Sequence, residues 1–239
     1  MRVAVLSDIH SNLHALEAVL GEIEASGVDE IWCLGDVVGY GPRPNECTAL
    51  VQARTSICLA GNHDLVVLGK IPVVAFAGEA AAAAAWTQGV LDDAARAFLD
   101  TLQPSAIAPE AELFHGSALD PIWDYVLSDE TARRSFAATS APLVLVGHSH
   151  ISLHFRPDAA GELATGGAVV ELGTGRHLLN PGSVGQPRNG DPRAAWLEID
   201  NDAGRARYRR TEYPVERTQA EMRERGLPEL LAERLAHGV

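Results

Sequence analysis

The sequence predicts an α/β fold in which parallel strands bring their loops to one edge. Three features predict it. Short β-branched runs alternate with stretches of helical apolar spacing along the first 60 residues, and strand–helix–strand order implies parallel pairing. Each run stops abruptly at glycine or at polar residues. The length of 239 residues, with 46% hydrophobic and 21% charged side chains, is enough for a substantial core.

Residues 2 to 6, RVAVL, read as the first strand. Asn12 is placed to cap a helix whose apolar positions Leu13, Leu16, Val19, Leu20 and Ile23 recur at helical spacing, and Gly27 ends it. EIWCL at 30–34 is a second strand stopping at Gly35-Asp36, and TSICLA at 55–60 a third stopping at Gly61-Asn62, with a short helix at 44–53 between them. The chain from about 72 to 100 is alanine-rich and helical, with a break expected near Gly89. Strands at 105–108 and 111–115, a helix at about 129–139 and a buried strand PLVLV at 142–146 follow. From there to about 210, SLHFRP, ELATGG, AVVELGTG, RHLLNPGS and AAWLEID read as β-hairpins. Two helices form a tail from about Pro214, free to pack on the sheet or on a partner. No repeat, linker or composition break divides the chain, so one domain over 1–239 is expected.

The formal net charge of −13 excludes a general nucleic-acid binder, which needs a basic excess to displace counterions. An anionic substrate would need a local source of positive charge, and a bound cation supplies one. Cys33, Cys47 and Cys58 are odd in number and lack CxxC spacing, which reads as packing rather than as a disulfide or metal site. No apolar stretch approaches the ~20 residues of a membrane span. The strand-like start leaves no room for a signal peptide, so a cytoplasmic protein is expected.

The functional signal lies in the polar residues at the strand ends. Asp8 and His10 follow the first strand, Asp36 the second, and Asn62 and His63 the third; His115 follows ELF, and His148 and His150 follow PLVLV within GHSH. In an open parallel sheet such ends converge, and five of the nine histidines occupy them. Imidazoles with carboxylate and amide oxygens suit borderline divalent metals. Manganese is favoured, with iron, zinc, nickel or cobalt as alternatives. Two metals ~3.5–4 Å apart need a bridging carboxylate, and Asp36, alone after its strand, is the candidate. Singly, DxH or Gly-Asp is common in ordinary turns; their joint occurrence in order is the specific feature.

The series SDIH, LGD, AGNHD, FHG and GHSH resembles the signature of the calcineurin-like metallophosphoesterases over roughly residues 5–150. GDVVGYGPRPNEC, HGSALDPIWDYVL and NPGSVGQPRNGDPRA resemble their bacterial small-phosphoesterase, diadenosine tetraphosphatase-like branch, extending the likeness to nearly the whole chain. The resemblance implies a four-layer αββα sandwich of two mixed β-sheets flanked by helices. It implies Asp8, His10, Asp36 and His150 as ligands of one metal and Asp36, Asn62, His115 and His148 as ligands of the other. It makes His63 the general acid that protonates the leaving group, assistance worth ~10²–10⁴-fold. The implied activity is hydrolysis of small phosphomonoesters or phosphodiesters, cyclic nucleotides and dinucleoside polyphosphates included, by a metal-bridging hydroxide. A protein phosphatase is an alternative within the class. A catalytically silent scaffold is the alternative outside it, disfavoured because the acid and every ligand position are filled.

Other residues carry two readings. Asp64 either orients His63 or is a loop carboxylate that bonds backbone or caps the next helix. Asn12 either touches substrate or serves as helix cap. Arg188 either clamps a phosphate bidentately or is a solvated surface arginine. Tyr40, Trp123 and Tyr125 either stack a nucleobase or pack at the rim. His14, His154, His177 and His237 are not expected as ligands, and GTGRH lacks both the Walker pattern and a following helix.

Overall fold

The computed structural model describes residues 1–173 and 175–239. Its strands in chain order are β1 (Arg2–Leu6), β2 (Glu30–Cys33), β3 (Ile57–Cys58), β4 (Ser105–Ala108), β5 (Ala111–Phe114), β6 (Leu143–Val146), β7 (Ser152–Arg156), β8 (Ala159–Leu163), β9 (Val169–Glu171), β10 (His177–Pro181), β11 (Ala194–Asp200) and β12 (Arg205–Thr211). The helices are α1 (Leu13–Ser26), α2 (Pro44–Arg54), α3 (Asn62–Val67), α4 (Gly78–Val90), α5 (Asp93–Asp100), α6 (Asp129–Ala138), α7 (Val215–Glu224) and α8 (Glu229–Glu233).

Two mixed six-stranded sheets result, ordered β3-β2-β1-β11-β12-β9 and β4-β5-β6-β10-β7-β8. In the first, β1, β2 and β3 are parallel and β11 joins β1 antiparallel, with Val3 opposite Ile199. In the second, β5, β6 and β10 are parallel and β7 returns antiparallel. Strand alternation builds the layers. Val3 and Val5 point between the sheets, where they meet Leu113, Leu145, Leu179 and Tyr208. Ala4 and Leu6 point the other way, onto Leu16, Val19 and Ile23 of α1 and Trp196 of β11. On the far face of the second sheet, Val144, Phe155 and Leu178 pack on Ala132 and Phe136 of α6. Helices therefore cover both outer faces, as the αββα expectation requires.

Local signals explain most elements. Asn12 caps α1 by accepting from the Ala15 amide at 3.2 Å, and Gly27 ends it with φ of 66°. Three expectations are corrected. The helical break falls at Leu91–Asp92, because Asp92 caps α5 through the Ala95 amide while Gly89 continues α4. The third strand is only two residues long, since the chain turns at Gly61 directly into α3. Among the described residues, only β7–β8 and β11–β12 are hairpins between successive strands after residue 150; β9 leaves to pair with β12, and β10 inserts between β6 and β7. Every residue of β10 is buried, the environment of a central strand rather than a hairpin edge. The AVVELGTG and GTGRH readings extend onto Thr174, outside the described residues.

The tail folds back on its own chain. Met222, Leu227, Leu231, Ala232 and Leu235 bury against Ala83, with Trp86 and Tyr40 packed alongside. Among the described residues, no helix is long and apolar enough to cross a membrane.

Candidate metal centre

Asp8 and His10 lie beyond β1, Asp36 beyond β2 and Asn62-His63 beyond β3, while His115 follows β5 and His148 and His150 follow β6. The strand-end prediction holds with one change. The edge belongs to both sheets, because β5 and β6 lie in the second. All eight side chains are at most 4% exposed.

The loops that deliver them are strained. Asp8, His10, Asp36, His148 and His150 have left-handed backbone, with φ of 54°, 48°, 53°, 63° and 61°. Asp and His tolerate that region better than most residues, but such positions cost of order 1–3 kcal/mol each and persist only when the surroundings fix them. Cross-loop hydrogen bonds do so here: the Asp8 amide donates to Gly35 O at 3.0 Å, His10 to Asp36 O at 2.9 Å and Gly147 to His115 O at 2.9 Å. Gly61 is required by close approach, since a Cβ there would stand 2.0 Å from Asp36 Oδ1.

Each central carboxylate uses one oxygen and leaves the other bare. Asp8 Oδ2 accepts from the His148 amide at 3.1 Å and Asp36 Oδ1 from the His63 amide at 2.8 Å; Asp8 Oδ1 and Asp36 Oδ2 are buried without partners. The histidines show the complementary pattern. Nδ1–H of His10, His115 and His150 donates to the carbonyls of Val38, Leu34 and Gln186 at 3.2, 2.9 and 2.6 Å. A carbonyl only accepts, so Nε2 of each neutral ring turns a lone pair inward. There His10 and His150 bring Nε2 atoms within 3.0 Å of each other, and His115 Nε2 lies 3.2 Å from both Asn62 Oδ1 and His148 Nδ1. Asp36 Oδ2 lies 3.5 Å from His10 Nε2 and 3.5 Å from His115 Nε2. Two groups emerge, Asp8, His10, Asp36 and His150, and Asp36, His115 and His148, each with ligand atoms within 4.8 Å of one another.

Lone pairs packed this closely repel unless a cation lies between them, and the protonation energetics agree. Burial pushes the Asp8 carboxyl up to about 7. Burial, with the Asp64 and Asp8 charges added, drives Asp36 well above the carboxylate range. Burial holds His10, His115 and His150 well below 6.5 and His148 down to about 4. Neutral imidazoles and bare carboxylate oxygens are the donor set a divalent cation takes, and it would restore the carboxylate charge. The buried cluster fits divalent metal binding.

The remaining candidates separate. The His63 ring stands between Tyr40 and Phe76, 4.3 Å from each centroid, with Nδ1 buried and unpartnered. Among the described residues no hydrogen bond joins Asp64 to that ring; its oxygens accept from the Gly61 and Val38 amides at 2.9 and 3.0 Å, the pattern of a cap on α3 rather than of an orienter of His63. Asn12 is engaged at both ends of its amide. Its Oδ1 takes the Ala15 amide and the Thr218 hydroxyl, and one Nδ2 hydrogen goes to Gly185 O; these bonds are those of a helix cap that also ties α1 to α7. Arg188, half-buried, gives Nη2 to Gln186 Oε1 at 2.9 Å and leaves Nε buried and unpartnered. Its backbone amide donates to His150 O at 3.3 Å, which sets the residue beside the cluster, and its charge acts on Asp8, Asp36, His63 and His150. Tyr125 stacks on His148 at 4.1 Å and Trp123 meets Phe76 at 6.0 Å. These rings, with Tyr40, form the rim around the histidines.

Two residues were missed. Phe76 walls His63, and Asn180 donates to Gly147 O at 2.7 Å and Ser149 Oγ at 3.0 Å, locking the GHSH loop. An asparagine inside the otherwise apolar HLLNP strand was the available signal for the second. Of the histidines set aside, His14 bonds Thr218 Oγ1 at 3.0 Å and His154 bonds His177 at 3.0 Å, outside the cluster.

Comparison with known proteins gives a consistent result. The family model described as calcineurin-like phosphoesterase superfamily domain matches residues 1–202. An uncharacterised protein of Methanocaldococcus jannaschii is 37% identical over 242 residues, covering 99% of this chain and 98% of that one. The crystal structure of a metallophosphoesterase from Sphaerobacter thermophilus superposes with a TM-score of 0.92 at 43% identity, covering 100% of both chains. A diadenosine tetraphosphatase-like structure shares the fold at TM-score 0.56 and 16% identity, over 88% of this chain and 94% of that one.

Proposed function

The chain belongs to the calcineurin-like phosphoesterase superfamily and is a metal-dependent phosphoric ester hydrolase, and from that premise we propose that it cleaves small phosphomonoesters or phosphodiesters at a centre built for two divalent ions. The observation that carries the reading is Asp36 Oδ2, buried, unpartnered and 3.5 Å from an imidazole nitrogen of each group. Asp8, His10, Asp36 and His150 would hold one ion, and Asp36, Asn62, His115 and His148 the other, with Mn²⁺ the favoured occupant. Bound there, two divalent ions lower the pKa of water and clamp phosphoryl oxygens for in-line attack.

The chain's own groups supply the rest. His63 holds the proton for the departing oxygen; its amide is tied to Asp36 Oδ1, and its ring is fixed between Tyr40 and Phe76. That fixes the acid relative to the reacting centre, as proton transfer requires. Arg188 offers an unpartnered guanidinium Nε to a phosphoryl oxygen. The silent-scaffold reading is not favoured, since the family match and the buried Asp/His cluster support a metal-dependent phosphoesterase. Cyclic nucleotides and dinucleoside polyphosphates are candidate substrates within the class, and the protein is read as one cytoplasmic domain over 1–239.

The test is metal removal. Protein stripped by chelator should be inactive on p-nitrophenyl phosphate and on its bis ester, and should recover with Mn²⁺. Equal turnover in chelator would end the reading.

A further inference from the structure

We propose that Trp123 and Tyr125 form a platform for the base of a nucleoside leaving group and so set the substrate preference of the centre. The inference rests on the phosphohydrolase reading and narrows its substrate class to nucleotides whose sugar oxygen departs from the phosphate.

The loop that follows candidate ligand His115 is built to hold these two rings in place. Ser117 Oγ accepts from the Leu119 and Asp120 amides, both at 3.1 Å, and donates to Asp124 Oδ2 at 2.8 Å. Asp120 Oδ1 accepts from the Ile122 and Trp123 amides, both at 3.0 Å, and the Gly116 amide donates to Pro121 O at 2.8 Å. Ile122 and Val126 anchor the two ends of the short stretch between them, the first against the core under α1 and the second in the cluster under α6. Trp123 and Tyr125 are left facing outward, 37% and 44% exposed. Among the described residues, no other phenylalanine, tyrosine or tryptophan is exposed. Rings fixed before a ligand arrives lose little freedom when it binds.

Both rings are joined to the centre by direct contacts. Tyr125 lies over candidate ligand His148, with centroids 4.1 Å apart and planes 10° from parallel, so one of its faces is covered and the other is open to a partner. Trp123 meets Phe76 edge-on at 6.0 Å, and Phe76 lies 4.3 Å from His63. The rim thus runs from a metal-ligand position to the candidate acid, the side on which the leaving group departs. Phe76 stands between Trp123 and His63, so a ring bonded straight to the ester oxygen would meet Phe76 first, whereas a ring carried on a sugar reaches Trp123. Charge restricts the occupant further. Residues 115–128 hold two carboxylates, Asp120 and Asp124, and neither lysine nor arginine, which repels a polyanionic leaving group and suits an uncharged base. Stacking of bases on aromatic side chains needs only their π-faces, and two open rings supply those.

The experiment uses the full chain with Mn²⁺ in excess, and turnover of p-nitrophenyl phosphate or its bis ester as the reporter. Adenosine 5′-monophosphate added as a competitor should halve turnover at about tenfold lower concentration than ribose 5-phosphate, which has the same sugar oxygen and lacks the base. Phenyl phosphate, a ring without the sugar spacer, should rank with ribose 5-phosphate. Trp123→Ala and Tyr125→Ala should each shrink the preference for the nucleotide by about threefold or more, with Trp123→Phe recovering part of it. Ile107→Ala, which removes an exposed apolar side chain from edge strand β4, should leave the preference unchanged. If a variant fails to fold, the wild-type ranking decides. Equal inhibition by the nucleotide and ribose 5-phosphate, inhibition by phenyl phosphate as strong as by the nucleotide, or a preference untouched in both alanine variants overturns the proposal while leaving the phosphohydrolase reading intact. Absence of metal-dependent turnover on both p-nitrophenyl esters would remove that reading and this one with it.

Discussion

Two histidine clusters in this molecule share a short imidazole contact and differ in everything around it. His10 and His150 meet at 3.0 Å at the strand ends, and His154 and His177 meet at 3.0 Å within the second sheet. The second pair sits on regular strands, and its chemistry is closed: His177 Nδ1 faces His154 and its Nε2 donates to Leu172 O at 2.8 Å. The first pair has both Nδ1–H groups spent on carbonyls, lone pairs facing each other, two bare carboxylate oxygens nearby and left-handed backbone beneath it. Proximity of imidazoles is therefore not the mark of a metal centre. The mark is a set of acceptors with no donor, held in place at a cost in backbone strain.

That contrast can be broken or sharpened by substitution. The largest effect is expected for Asp36→Asn. Residues that merely orient ligands are worth ~10–100-fold, so loss of the shared oxygen should lower turnover by more than ~100-fold and reduce metal content toward zero at both sites. Metal analysis finding one ion retained would refute the bridge. His63→Ala comes next: both metals kept, with a loss of ~10²–10⁴-fold on esters with poor leaving groups and much less on p-nitrophenyl esters. Uniform loss across leaving groups would remove His63 as the acid. Gly61→Ala pushes a methyl group onto Asp36 Oδ1, and overpacking of this kind costs roughly 1–3 kcal/mol; thermal unfolding should show the drop and metal titration a weakened site.

The smallest effect belongs to the other cluster. Burial, followed by the His177 charge, holds His154 down to about 4. As pH falls, the unfolded chain takes up the proton first, so the stability contribution is complete above about 6.5 and is lost between about 6.5 and 4. The side chain is only part-buried, and solvent screening limits the effect to about 1 kcal/mol or less, or roughly 2–4 °C in Tm. His154→Gln should narrow the Tm difference between pH 7 and pH 5 by that amount while metal content and activity stay at wild-type levels. A variant that loses metal would erase the distinction between the clusters.

Much of this was legible in the sequence because the informative residues sit where periodicity stops. β1, α1, β2 and β6 follow from apolar spacing and a cap, and the polar residues immediately after the strands mark the centre. Two things were not legible. The seam between sheets could not be read, because β10 looks like a hairpin arm and only burial on both faces makes it central. The duty of Asp64 was ambiguous, since a carboxylate after histidine suits either an acid–base partner or a cap on the next helix, and only the amides of Gly61 and Val38 speak for the cap.

The seam has an outcome for the life of the protein. Asp8, His10 and Asp36 arrive on one sheet, and His115, His148 and His150 on the other, so neither half can assemble the donor set alone. Ion capture would then act as a rivet fastened only after the halves dock. A partly folded chain carries the catalytic letters without the ability to use them, and hydrolysis begins when folding is complete.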